Sequence, residues 1–171
     1  MSHKKKIDEQ KPHVVVVGGG FGGLSAVKAL KNVPVNITLI DKSNHHLFQP
    51  LLYQVASGAL SPSDIAQPLR QILAKQKNVD VLLGEVTKID RDARCLRLGD
   101  NGRTLTYDYL ILATGAENFY FGNKNWQKNS FGLKNLNDAL AMRDQIFDIY
   151  EEAEWQHDSK KREELLTFVI I

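Results

Sequence analysis

Four consecutive valines at 14–17 open the first clear element, and a run apolar on both sides fits a strand covered on both faces. A glycine-rich turn, Gly18-Gly-Gly-Phe-Gly-Gly23, separates it from residues 24–30, which read as a helix. Residues 35–40 alternate apolar and polar and end at Asp41, a second strand. Residues 45–58 are rich in apolar side chains without a clean period, and Pro50 prevents an uninterrupted helix. Such a segment is expected to lie against something. Ser63 and Asp64 are placed to cap a helix running to about Lys75, with Pro68 near its first turns.

Short strands are expected at 79–83, 85–90, 95–98 and 104–106, with Asp100-Asn-Gly102 turning the chain before the last. Residues 109–113 form a fully apolar strand closed by Thr114 and Gly115. A glycine- and asparagine-rich loop is expected over 118–130, then a helix capped by Asn137 and reaching about Gln156. Ala139, Met142, Ile146, Ile149, Tyr150 and Ala153 form its apolar stripe, while Asp144, Asp148, Glu151 and Glu152 make the other side acidic. A helix lying on a membrane would carry Lys and Arg there, so this one is expected to pack as a linker. Residues 165–171 read as the first strand of another unit, whose glycine turn would follow.

Size and charge narrow the choices. A chain of 171 residues, 43% hydrophobic and 25% charged, suits one globular domain. The net charge is +2, and the one basic run, Lys4–Lys6, lies in a polar start expected to be disordered over 1–11. No basic stripe of the kind nucleic acid requires is present. The single cysteine, Cys95, excludes an internal disulfide framework and reads as a packed thiol. Secretory and membrane-spanning segments, which need roughly 18–20 apolar residues for a span, are not visible, so an intracellular protein, soluble or peripheral, is expected.

Gly18-x-Gly20-x-x-Gly23 gains its meaning from context, because it follows a strand and opens a helix. Gly18 permits the tight turn, Gly20 lets the backbone approach a diphosphate, and Gly23 lets helix and strand pack closely. The start of the helix then presents unpaired N–H groups and a positive dipole end to the phosphates. Asp41 lies 18 residues beyond Gly23, at the strand end where an acid binds a ribose 2′-hydroxyl. A carboxylate there repels a 2′-phosphate, favouring FAD or NAD over NADP; a strand-end capping role is the structural alternative. These residues alone do not separate FAD from NAD. His45 and His46 invite a metal reading, but no Cys or clustered Asp/Glu stands at ligand spacing, so they read as loop or cofactor-edge residues. Trp126 and Trp155 read as packing or interface aromatics. No catalytic acid or base is apparent.

Two stretches, NHHLFQPLLYQVASGALSPSDIAQPLR from Asn44 to Arg70 and TYDYLILATGA from Thr106 to Ala116, closely resemble type II NADH:quinone oxidoreductases. These are flavoproteins with two dinucleotide-binding domains, and the likeness runs from about Lys11 to Ile171. The resemblance implies that Gly18, Gly20, Phe21, Gly22 and Gly23 hold the FAD diphosphate, with Asp41 and Lys42 beside its adenosine ribose. It places Phe48, Gln49, Pro50 and Leu51 along the isoalloxazine, Val86 at the adenine through its backbone, and Ala113, Thr114 and Gly115 closing over the cofactor. The implied fold is a Rossmann-like FAD/NAD(P)-binding three-layer α/β structure, truncated, with a small antiparallel β insertion near 85–106. Its parts are an incomplete FAD domain at 12–132, a linker helix region at 133–164, and at 165–171 the first strand of an NADH domain. Quinone and a membrane surface are the implied partners, with a second copy of the chain as a further candidate and NADH a substrate of the full-length parent only. The parent would sit on the cytoplasmic face of the inner membrane, and this stretch alone is expected not to oxidise NADH.

Three other readings compete. A nucleotide-binding module without turnover would share the glycine loop. A short-chain dehydrogenase needs Tyr-x-x-x-Lys on a helix, and Tyr120-Phe-Gly-Asn-Lys124 matches, but Gly122 and Asn123 are poor helix residues. Sulfide:quinone and ferredoxin-type flavin reductases share the first half of the fold, whereas a disulfide reductase would want C-x-x-C.

Overall fold

Residues 10–100 and 102–170 are described by a computed structural model. Strand β1 (His13–Val17) passes through the glycine turn into helix α1 (Phe21–Ala29), and strand β2 (Asn36–Asp41) returns beside β1. Strand β3 (His45–Leu47), a 3-10 turn over Gln49–Leu51 and helix α2 (Leu52–Ala56) follow. Then come α3 (Pro62–Ile65), β4 (Ala66–Pro68), α4 (Leu69–Ile72) and β5 (Val79–Leu83). Strands β6 (Val86–Asp90), β7 (Cys95–Leu98), β8 (Arg103–Thr106) and β9 (Tyr109–Leu112) precede the helices α5 (Lys124–Lys128), α6 (Leu136–Trp155) and α7 (Ser159–Leu165). The chain divides into two units that interleave in sequence. One runs up to His46 and resumes at Ala66–Ala116; the other joins Leu47–Ile65 to the stretch from Glu117 onward. The expected contiguous domain at 12–132 is therefore split between them.

The first unit is built on a parallel sheet of order β5-β2-β1-β9. Period-2 alternation sends its side chains to two cores. Val14, Val16, Ile37 and Leu39 pack with Leu24 and Val27 of α1 and with Leu69 and Leu73. Val15, Val17 and Ile40 point the other way, onto Leu96 of the antiparallel sheet β6-β7-β8. Val15, Val16 and Leu39 are wholly buried, each worth about 1.5–3 kcal/mol of hydrophobic stabilisation. The result is the three-layer α/β arrangement expected from the sequence, with its antiparallel insertion over β6–β8. The valine run reads as apolar throughout because both sheet faces are covered.

In the second unit α2 packs on α6, burying Leu52, Val55, Ala56, Ile65 and Ala139 around partly buried Leu60, Leu136, Leu140 and Met142. The apolar segment without a period thus finds its cover. Helix α6 starts with a reciprocal cap: the Asn135 side chain accepts the Asp138 N–H at 3.0 Å, and Asp138 accepts the Asn135 N–H at 3.2 Å.

Several expectations need correction. Asn135, not Asn137, caps α6. The helix expected from Ser63 to Lys75 is broken into α3, β4 and α4, because Pro68 lacks an N–H and restricts Gln67 to extended backbone. The loop at 118–130 contains α5, whose cap Asn123 accepts the N–H groups of Asn125 and Trp126. Asparagine there marks a helix start as well as a loop. The strand expected at 165–171 is not formed over the described residues: Leu165 closes α7, and 166–170 pair with no neighbour. An apolar run becomes a strand only when another strand lies beside it. Trp155 and Trp126 are 84% and 56% exposed, so neither is a packing residue here. The expected disordered tail lies, for residues 1–9, outside the described residues, as do Asn101 of the expected turn and Ile171.

Candidate functional site

The glycine loop sits at the carboxyl end of β1, next to the ends of β2 and β9, where a parallel sheet opens a crevice. Gly18 has φ +107°, and a Cβ there would fall on the Ala113 carbonyl oxygen. Only glycine fits. A Cβ on Gly23 would fall on the Gly18 carbonyl oxygen, so its absence lets α1 rest against the loop. Gly20 differs: it is exposed, and a Cβ would meet nothing within 4 Å. That open space beside the N-cap of a nine-residue helix with no side-chain cap and no acid in its first turn suits an anionic group.

Asp41 lies at this loop. Its Oδ2 accepts the Gly19 N–H at 2.5 Å and its Oδ1 accepts the Ser43 N–H at 2.6 Å. The carboxylate therefore caps the strand end and ties down the glycine loop at once. Each oxygen keeps a further lone pair for a ligand hydroxyl. Lys42 is exposed beside it, and Phe21 and Gly22 form the exposed first turn of α1. The Ala113 N–H donates to the Val17 carbonyl at 2.8 Å, extending the β9–β1 ladder and laying 113–115 against the loop. A methyl built on Gly22 would sit 3.7 Å from the Ala113 Cβ. Thr114 and Gly115 are exposed. Val86 is half-buried, packed against the second core of this unit.

The remaining expected residues belong to the second unit. Phe48, Gln49 and Pro50 are exposed, Leu51 joins the core around α2, and Gln49 donates to the Lys134 carbonyl at 2.8 Å. Tyr120 lies in loop and Lys124 begins α5, so the Tyr-x-x-x-Lys pair does not share a helix. One site residue escaped the sequence reading, and a second was expected only as a loop or cofactor-edge residue. Gly19 is buried, with a Cβ there meeting the Leu69 side chain at 2.6 Å. His46 brings Nδ1 to 2.9 Å from the Gly19 carbonyl and sets its ring nearly perpendicular to that of Phe21, centroids 5.0 Å apart. Gly19 is the middle of three consecutive glycines, and that run was its available signal; His46 was expected only as a loop or cofactor-edge residue.

Comparison with known proteins turns this geometry into a family assignment. Residues 12–157 match the family described as "Pyridine nucleotide-disulphide oxidoreductase". The chain belongs to the pyridine nucleotide-disulphide oxidoreductase family. Within that family its similar relatives are type II NADH:quinone oxidoreductases. Ndh of Mycobacterium tuberculosis is 46% identical over the whole chain, which covers 38% of that protein. NdhA of the same organism is 51% identical over 92% of the chain and 34% of its own length. Among solved structures, NDH2 of Plasmodium falciparum in complex with NADH aligns with 89% of the chain and 32% of its own, at 28% identity and TM-score 0.78. The sulfide:quinone oxidoreductase of Aquifex aeolicus aligns with 82% of the chain and 32% of its own, at 32% identity and TM-score 0.73. The chain thus spans little more than a third of the curated relatives it matches. It brings one cysteine to this family, Cys95 in β7, and so no cysteine pair of its own.

Proposed function

We propose that this chain is the flavin-holding portion of an NADH:quinone oxidoreductase, with FAD as the flavin. The observation that carries the reading is the loop of Gly18, Gly20 and Gly23 between β1 and α1, with Asp41 at the end of the adjacent strand. The N–H groups at the start of α1 hold the diphosphate, and Asp41 accepts the hydroxyls of an unphosphorylated ribose. Lys42 lies beside that ribose, Val86 meets the adenine through its backbone, and 113–115 close over the cofactor. FAD supplies the two-electron relay between nicotinamide and quinone, and the protein contributes binding, orientation and exclusion of water. NADH and quinone are the substrates of the whole oxidoreductase, which acts at a membrane surface on its cytoplasmic side and pairs with a second copy. Among the described residues no helix is long and apolar enough to cross a membrane.

Titrating the purified chain with FAD, while reading the flavin absorbance bands beside far-UV circular dichroism, tests the reading. Perturbed flavin bands on a folded chain are expected. Folded protein that leaves the bands of free FAD unchanged would reject the site. A second reading, electron transfer from sulfide to quinone, draws on the likeness to the Aquifex aeolicus structure. Flavin reduction in the full-length protein by NADH but not by sulfide would decide against it.

A further inference from the structure

We infer that His46 is a positioning residue for the dinucleotide's diphosphate, acting through Gly19; the inference rests on the reading of the glycine loop given above. Gly19 is held at both ends of its main chain. Its N–H donates to Asp41 Oδ2, and its carbonyl lies 2.9 Å from His46 Nδ1. A carbonyl oxygen only accepts, so Nδ1 carries the hydrogen and the tautomer is fixed. The ring cannot swing away freely, because it packs in a T-shaped contact with Phe21 at the start of α1.

The consequence follows from peptide geometry. The Gly19 carbonyl and the Gly20 N–H share one planar trans peptide, so they point in opposite directions. Drawing the carbonyl towards His46 therefore aims the Gly20 N–H away from it. That N–H has no acceptor among the described residues, and Gly20 is exposed with open space where a Cβ would stand. Glycine has the widest backbone freedom of any residue, and a Gly-Gly peptide left to itself would sample many orientations. The Asp41 and His46 bonds fix two successive peptides of the loop before any ligand arrives. A preorganised donor binds an anion more tightly than one that must first be ordered. His46 thus contributes to affinity without touching the ligand.

The test compares ADP binding by calorimetry to the 171-residue chain and to two variants, with thermal unfolding read beside each. His46→Phe keeps a ring against Phe21 and removes the donor; it is expected to weaken ADP roughly tenfold, the value of one hydrogen bond. His46→Asn returns an amide N–H near the Nδ1 position and is expected to recover most of the loss. That rescue is the result a purely space-filling histidine would not give. His46→Phe binding as tightly as the unmodified chain, or His46→Asn as weak as His46→Phe, overturns the inference alone. An unmodified chain that binds no ADP overturns the loop reading and takes this inference with it. Should His46→Phe fail to fold, the Gly20 amide proton of the unmodified chain decides: it shifts on ADP addition if that N–H meets a phosphate, and an unmoved resonance counts against the proposal.

Discussion

Replacing Gly20 by alanine separates the loop's role in folding from its role in binding. Gly20 has φ −71° and ψ −164°, extended backbone that alanine adopts without strain, and its new methyl would find nothing within 4 Å. Alanine is a poorer N-cap than glycine by roughly 0.5–1 kcal/mol. Against that, alanine stiffens the unfolded chain and returns about 0.4–1 kcal/mol. The two nearly cancel, so the melting temperature should move by no more than about 2 °C. Binding is a different matter, because the methyl stands where the diphosphate must approach the helix start. Losing one charge-assisted hydrogen bond there is worth about 1.5–3 kcal/mol, or roughly ten- to a hundredfold in affinity. Calorimetric titration with ADP, beside thermal unfolding followed by circular dichroism, measures both quantities on one preparation. Gly23→Ala is the contrasting variant. Its Cβ would fall on the Gly18 carbonyl, so α1 must shift and stability should drop by about 1–3 kcal/mol before binding is considered. A Gly20→Ala chain that binds ADP as tightly as the unmodified one would refute the placement of the diphosphate at this helix.

Asp41 should favour ADP over its 2′-phosphorylated counterpart by at least about tenfold, since two negative charges would face each other there; Asp41→Asn should narrow the gap in the same titration. Asn135→Ala removes half of the reciprocal cap of α6 and should cost about 1 kcal/mol in urea unfolding. Leu52→Ala opens a cavity between α2 and α6 and should cost about 2–5 kcal/mol; because Leu52 is 2% exposed, a smaller loss would mean that the second unit repacks easily.

Much of this was legible in the chain because it is local. The valine run and the alternation ending at Asp41 each depend on a handful of neighbouring residues and appeared within a residue of their expected places, while α1 begins at Phe21, inside the expected glycine turn. Where competing local signals met, the reading faltered. Pro68 outweighed the helical pattern around it, Asn123 began a helix inside an apparent loop, and Asn135 took the capping role assigned to Asn137.

The sequence by itself determined the parallel βαβ opening, the need for glycine at 18 and 23, and an acid at the end of the second strand. These follow from backbone sterics and periodicity, which act over a few residues. Tertiary structure alone decided that β9 pairs with β1 from 95 residues away, as Val14 opposite Tyr109, and that β7 covers the second face of the sheet. It also joined residues 47–65 to those beyond 117 and brought His46 and Asp41 to opposite ends of Gly19. Pairing of distant segments is chosen by which apolar faces can be buried together, and no short window of sequence contains that choice.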